Sequence, residues 1–364
     1  MLSLRENREP VHHSACGHEC HEDKKLQVNP RPVKISAVGT HVPKRIVTND
    51  ELSLTLDTSD EWISTRTGIR ERRIADDSEA ASDLGAIAAA RALEAASVRP
   101  EELDLIIVAS LSPDMQVPST ASFISGKIGA DNTPAFDLSA ACTGFIYALA
   151  TGSAFIASGQ AEKVLVVGAE VVSRMIDWTD RSTAVLFGDG AGAVLLEVAD
   201  SGNEGILGFD LGNDPAGTEL LKVPAGGSRE PATEETVASR RHFIRMNGGE
   251  VYKFATRIIV SSVSEVLSRN GCRVEEVDLF IPHQANIRII DAAARKLGIA
   301  AERVFSNLAR YGNTSCASIP LCLDEAAAEG RIHSGELVLM VGFGAGLSWG
   351  SCLVRMGELK RIEE

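Results

Sequence analysis

The sequence predicts an α/β protein made of two related halves, and three observations carry that prediction. From Val33 onward, short β-branched runs alternate with helical patterns, which is the mark of a buried sheet covered by helices. Glu101-Glu102-Leu103-Asp104-Leu105 returns as Glu275-Glu276-Val277-Asp278-Leu279, and Val164-Leu165-Val166-Val167-Gly168 returns as Val338-Leu339-Met340-Val341-Gly342, both displaced by 174 residues. The 364 residues are 44% apolar and 24% charged, a globular composition with enough chain for a large core. Two repeats at one offset, each preceded by a helical pattern, point to fused halves of related topology about a pseudo-two-fold axis.

Taken in order, residues 1–31 are polar and irregular and read as a tail. His12, His13, Cys16, His18, Cys20 and His21 crowd within it, but no second ligand pair follows at zinc-finger spacing, so no metal site is expected. The first half, 32–204, carries strand patterns at Val33–Val38, Leu103–Ser110, Ala135–Leu138, Val164–Gly168 and Gly192–Val198. The second, 205–358, carries them at Gly205–Leu211, Val277–Pro282, Val304–Asn307, Leu337–Gly342 and Trp349–Arg355. Helical patterns fall at about 82–97, 142–158, 247–269, 286–297 and 316–328. Residues 138–161 hold no charge, yet they are rich in Ala, Ser, Thr and Gly and lack a basic flank. They fit a helix buried on all sides better than a membrane span. Pro224–Ser239 reads as an exposed excursion, and 359–364 as a second tail.

Charge and cysteine usage exclude further classes. Thirty-six Lys and Arg against 50 Asp and Glu leave a net charge of −14, unsuited to a general nucleic-acid binder. Seven cysteines, an odd number without framework spacing, and a start lacking a signal-like apolar run predict a reducing cytoplasm.

Three residues at element junctions carry candidate chemistry. Cys142 opens the long uncharged helix, where unpaired N–H groups and the positive dipole end favour a thiolate and predict a lowered thiol pKa. His283 closes an apolar strand, the end where open α/β sheets place reactive groups. Asn313 lies 30 residues on, just before another helix. Singly, these read as a buried hydrophobe, a satisfied interior histidine and a turn residue. Together they also suit a papain-type protease, although two repeated sheet halves argue against that. Gly188–Gly192 is followed by strand rather than helix, so it reads as a tight connection and not a dinucleotide loop. Cys316 stands 174 residues from Cys142 and is expected to be a buried neutral thiol.

At these positions the chain resembles β-ketoacyl-acyl carrier protein synthase III, a condensing enzyme of the thiolase superfamily. The resemblance rests on Thr58-Ser59-Asp60-Glu61-Trp62-Ile63, Thr65-Arg66-Thr67-Gly68-Ile69, Asp137 to Gly144 and Phe187 to Gly192. Pro282-His283-Gln284-Ala285-Asn286, Gly312-Asn313-Thr314-Ser315 and Gly342 to Gly350 complete it, spanning about residues 33–356. It implies a thiolase fold, layered α-β-α-β-α, and a homodimer. It implies condensation of a short acyl-CoA with malonyl-acyl carrier protein through an acyl-Cys142 intermediate, with coenzyme A thioester as substrate and no cofactor. His283 and Asn313 would stabilise the malonyl enolate, and the Cys142 and Ala345 amides would form the other oxyanion hole. Thr58, Trp62, Arg66 and Arg181 match coenzyme A positions, and Val117 and Phe343 lie near acyl-pocket gates. Lys253, Arg257, Arg288, Arg295 and Lys296 match the carrier-docking region, the alternative being a plain solvated helix face. A relative in secondary metabolism, either an alkylquinolone-type condensing enzyme or an acyltransferase to a hydroxyl, is the rival. A non-catalytic subunit is disfavoured by the retained Cys142, His283 and Asn313.

Overall fold

The computed structural model describes residues 31–200 and 204–362. The first half runs β1 (Val33–His41), β2 (Arg45–Thr48), α1 (Asn49–Ser53), α2 (Asp60–Thr67), β3 (Glu71–Ile74) and α3 (Ala81–Ala96). It continues with β4 (Leu105–Ala109), α4 (Thr120–Ile128), β5 (Ala135–Leu138), α5 (Gly144–Ala157), β6 (Lys163–Glu170), α6 (Arg181–Ala184) and β7 (Gly190–Val198). The second half begins with β8 (Gly205–Asn213), β9 (Leu221–Lys222), α7 (Glu234–Ala238), β10 (Arg245–Met246) and α8 (Gly248–Arg269). It closes with β11 (Leu279–Pro282), α9 (Ile287–Leu297), α10 (Leu308–Tyr311), α11 (Ser318–Ala328), β12 (Leu337–Gly344) and β13 (Ser348–Arg355).

Two mixed sheets, ordered β1-β7-β6-β4-β5 and β11-β12-β13-β8, form the frame. Because β4, β6, β11 and β12 are buried on both faces, they read as continuous apolar runs rather than alternating ones. The helix α3 covers the outer face of the first sheet with Leu84, Ala88 and Ala92. At Gly39 a Cβ would stand 2.3 Å from the Ala92 nitrogen, so glycine there lets this helix touch the β1 backbone. The helices α5 and α11 lie between the sheets in one continuous core, and α8 covers the outer face of the second sheet. The result is α-β-α-β-α layering. No described helix is long and apolar enough to cross a membrane.

The 174-residue displacement extends beyond the two pentapeptides. It carries β6 onto β12 at both ends and the first residue of α5 onto that of α11. It also carries the positive φ of Ala141 (47°) onto that of Ser315 (50°). One expected strand is missing. Ile106 pairs with Ala135 in a full ladder, whereas its counterpart Phe280 makes a single bridge to Val304. Beyond that bridge, Ser306 bonds Gln284 and Asn307 bonds Glu325 while the chain turns into α10, so Val304–Asn307 forms no strand.

Other boundaries also move. The long helices begin after a 3₁₀ turn in each half, Ala141–Thr143 and Ser315–Ala317. The Pro224–Ser239 excursion is largely exposed but contains α7. The C-terminal segment is not a loose tail: Lys360 pairs with Ala37 alongside β1, and Arg361 bonds Asp324 at 3.0 Å. Residues 1–30, including the His/Cys cluster, lie outside the described residues.

Candidate active site

Cys142 sits in the 3₁₀ turn that leads into α5, 6% exposed. The end of β12 presses against it. A Cβ on Gly344 would stand 2.8 Å from the Cys142 nitrogen, and the Ser348 hydroxyl lies 2.8 Å from that of Thr143. Burial, and secondarily the Glu170 carboxylate, push the thiol up to about 12, against a hydrogen bond from the Ser315 hydroxyl at 3.5 Å. This reverses the expected lowering. A helix start stabilises charge only if the sulfur is not also stripped of water, and here it is.

His283 follows β11, with its N–H on the Val341 carbonyl at 2.7 Å and its ring edge-on to Phe343 at 5.5 Å. Burial lowers its pKa to about 3, so the imidazole is neutral. Its Nδ1 lies 2.7 Å from the Ser318 hydroxyl. Asn313 is zipped by backbone bonds to Leu186 (2.8 Å) and Gly188 (3.1 Å). Gly312 permits this closeness at φ +63°, where a Cβ would stand 2.7 Å from the Leu186 oxygen. The Asn313 Oδ1 accepts from the Ser315 N–H at 2.9 Å, which assigns that atom as oxygen and leaves the NH₂ group as donor.

These three side chains line one cavity of about 240 Å³ together with Phe343, Gly344, Trp62, Arg66 and Arg181. A second, apolar cavity of about 250 Å³ shares Cys142 and Phe187 with the first and is also walled by Leu111, Met175, Val223, Ile244 and Ala345. Trp62 is already covered: the Arg66 and Arg181 guanidinium carbons lie 4.6 and 4.8 Å from its ring centre, and Arg181 pairs with Asp57 at 3.4 Å.

Two expected positions lie elsewhere. Val117 is 81% exposed and lines neither cavity, because the segment before Pro118 projects into solvent. It therefore does not gate the acyl pocket of its own chain. Thr58 also lines neither cavity, although among the described residues its buried hydroxyl has no hydrogen-bond partner. Cys316 is 1% exposed, its sulfur 3.0 Å from both the Glu170 carboxylate and the Ala109 carbonyl, and its thiol is pushed well up by burial. Lys253, Arg257, Arg288, Arg295 and Lys296 are all exposed on the adjoining helices α8 and α9. Lys253 pairs with Glu250 at 2.8 Å, and Lys296 bonds the Thr256 carbonyl at 3.3 Å. Sequence reasoning missed Ser315, Ser318 and the walls of the apolar cavity. Ser315 and Ser318 sit within two and five residues of Asn313, the one signal that could have found them.

Comparison with known proteins agrees with this geometry. The family described as 3-oxoacyl-[acyl-carrier-protein (ACP)] synthase III matches residues 136–215, and its C-terminal counterpart matches residues 267–356. The β-ketoacyl-[acyl-carrier-protein] synthase III of Natranaerobius thermophilus is 53% identical over 324 residues, 88% of this chain and 98% of its own. The crystal structure of the Aquifex aeolicus synthase III is 47% identical with a TM-score of 0.82, covering 89% of this chain and 99% of its own. That of Pseudomonas aeruginosa is 40% identical with a TM-score of 0.84, covering 92% and 100%. The chain belongs to the β-ketoacyl-[acyl-carrier-protein] synthase III family of condensing acyltransferases.

Proposed function

We propose that this chain condenses a short acyl-CoA with malonyl-acyl carrier protein, releasing coenzyme A and carbon dioxide, and so starts fatty acid synthesis. The observation that carries the reading is that two cavities share the buried Cys142, with neutral His283 and the Asn313 amide lining the first. In the first stage the Cys142 sulfur attacks the acyl-CoA carbonyl, the bond to the coenzyme A sulfur breaks, the thiol proton leaves with coenzyme A as its free thiol, and the acyl chain occupies the apolar cavity. The Cys142 and Ala345 amides receive the developing oxyanion. In the second stage the malonyl carbon–carboxylate bond breaks, carbon dioxide leaves, and the electron pair passes to the thioester oxygen as an enolate. His283 and Asn313 donate hydrogen bonds to that oxygen. Each such donor is worth about 3 kcal/mol, or roughly a hundredfold in rate. The enolate carbon then attacks the acyl carbonyl and releases the Cys142 sulfur.

Trp62, Arg66 and Arg181 hold the adenine end of coenzyme A, and Thr58 shapes the turn that carries Asp57. The exposed cations on α8 and α9 receive the acidic carrier protein by local attraction, within a Debye length of about 8–10 Å. The working form is a cytoplasmic homodimer of units whose halves are 32–204 and 205–358. Its support is β5, the unpaired edge of the first sheet, with Phe136 and Leu138 half-buried. A second copy seated there also gives the exposed Val117 something to cover, so any acyl-pocket role for it is exerted across the dimer.

The test separates the stages. Acyl-CoA should add one acyl mass per chain, on the Cys142 peptide. Alanine at His283 or Asn313 should cut malonyl decarboxylation about a hundredfold while sparing acylation. Acyl mass that survives in Cys142→Ala would overturn the assignment.

A further inference from the structure

One turn of chain, Ser315 to Ser318, touches all three reactive side chains. Its Ser315 hydroxyl reaches Cys142, its Ser315 N–H reaches Asn313, and its Ser318 hydroxyl reaches His283 Nδ1. Ser318 is 1% exposed and is the first residue of α11, where a serine ordinarily bonds backbone of its own helix. Here its hydroxyl does not. The Gln284 N–H points at Ser318 Oγ from 3.4 Å, and His283 Nδ1 lies 2.7 Å away.

A hydroxyl has one proton to give and two lone pairs, one of which takes the Gln284 N–H. Among the described residues, the hydrogen-bond partners of Ser318 Oγ are His283 Nδ1 and the Gln284 N–H, so a ring that donated from Nδ1 would leave the buried Ser318 proton without an acceptor. The proton therefore points at Nδ1, which must be the bare nitrogen of the ring. A neutral imidazole has one bare and one protonated nitrogen, so the proton sits on Nε2. The arrangement is rigid because Gln284 is itself locked, fully buried with its side chain bonded to the Pro282 carbonyl and the Ser306 hydroxyl.

We propose that Ser318 is a positioning residue that fixes His283 in the Nε2–H form, making it a hydrogen-bond donor and not a base in the condensing site. The inference rests on the enolate-stabilising reading of His283 and adds the device that enforces it. Without Ser318 the ring can turn or exchange its proton between nitrogens, and donation to the substrate oxygen is lost for part of the population.

The experiment has two arms. Protein grown with ¹⁵N-labelled histidine, with His283→Gln identifying the signal, is examined by long-range ¹H–¹⁵N correlation. His283 should show a protonated Nε2 and a bare Nδ1 from pH 5 to 8, and a protonated Nδ1 in the unsubstituted protein would overturn the proposal whatever any variant does. In the second arm, Ser318→Ala should lower kcat for malonyl decarboxylation about tenfold or more, with KM within twofold and Cys142 acylation largely kept. Ser318→Thr, which keeps the hydroxyl, should recover most of that loss. Decarboxylation by Ser318→Ala within twofold of the parent would remove Ser318 from the mechanism. Normal decarboxylation by His283→Ala would instead sink the enolate reading, and the resonance arm would still report the tautomer.

Discussion

At the scale of single residues, the environment of Cys142 decides more than its position. Its thiol is raised to about 12, so at pH 7 the neutral form dominates and the thiolate fraction grows tenfold with each pH unit. Alkylation of Cys142 by iodoacetamide, followed by peptide mapping, should therefore climb about tenfold per unit from pH 6.5 to 9 without a plateau. A plateau near pH 7 would restore the lowered thiol that the helix start alone predicts. The residue type, its place before a helix and its small neighbours are legible in the sequence. Its desolvation is not, because the atoms that exclude water come from Phe187, Phe343 and Gly344, far away in the chain. Ser318 was hidden for the same reason. A serine at a helix start looks like any other until its hydroxyl is seen aimed at a ring from a different strand.

At the scale of elements, the apolar strands and long helices were readable because burial on both faces writes itself as uninterrupted Val, Ile and Leu. The pair β2 and β3 was not. Arg45-Ile46-Val47-Thr48 and Glu71-Arg72-Arg73-Ile74 are too short and too charged to register. One residue ties them to their surroundings. Arg72 is fully buried and donates to the Val47 carbonyl (3.2 Å), Asn49 Oδ1 (2.9 Å) and the Val185 carbonyl (2.8 Å). Burial lowers its pKa to about 10, and among the described residues its Nε finds no partner. Arg72→Met should destabilise the protein by about 3 kcal/mol in urea unfolding, since three acceptors lose their donor at once. It should also lower condensing activity, because Val185 leads directly into the segment zipped to Asn313. A loss below about 1 kcal/mol would mean that water replaces the guanidinium without cost.

At the scale of the whole molecule, the duplication was visible as two pentapeptides, and the structure extends it to turns and backbone angles. The missing fifth strand of the second sheet could not be read, because Val304 carries the right residue type and only its neighbours' side chains end the ladder. The asymmetry has an outcome in solution. The first sheet keeps β5 as a free edge, so light scattering should give twice the chain mass. Phe136→Lys, which sets a charge on that edge, should shift the population to single chains. A parent protein that runs as a monomer would remove β5 as the dimer contact.

The covered indole at the mouth gives the protein an optical signal of its own. Trp178 and Trp349 are tied by their ring N–H groups to the Ser173 carbonyl and Asp210, and neither lines the reactive cavity. On the proposed function, Trp62 alone of the three would exchange a guanidinium neighbour for a purine when coenzyme A binds, and a stacked purine dims indole emission. Coenzyme A should therefore quench fluorescence saturably. The quench should vanish in Trp62→Phe and tighten in Asp57→Asn, which frees Arg181 from its ion pair. Followed in real time, the same light would dim on acyl-CoA arrival and brighten when the spent thiol departs, so that a single tryptophan would time the acylation half of the catalytic cycle.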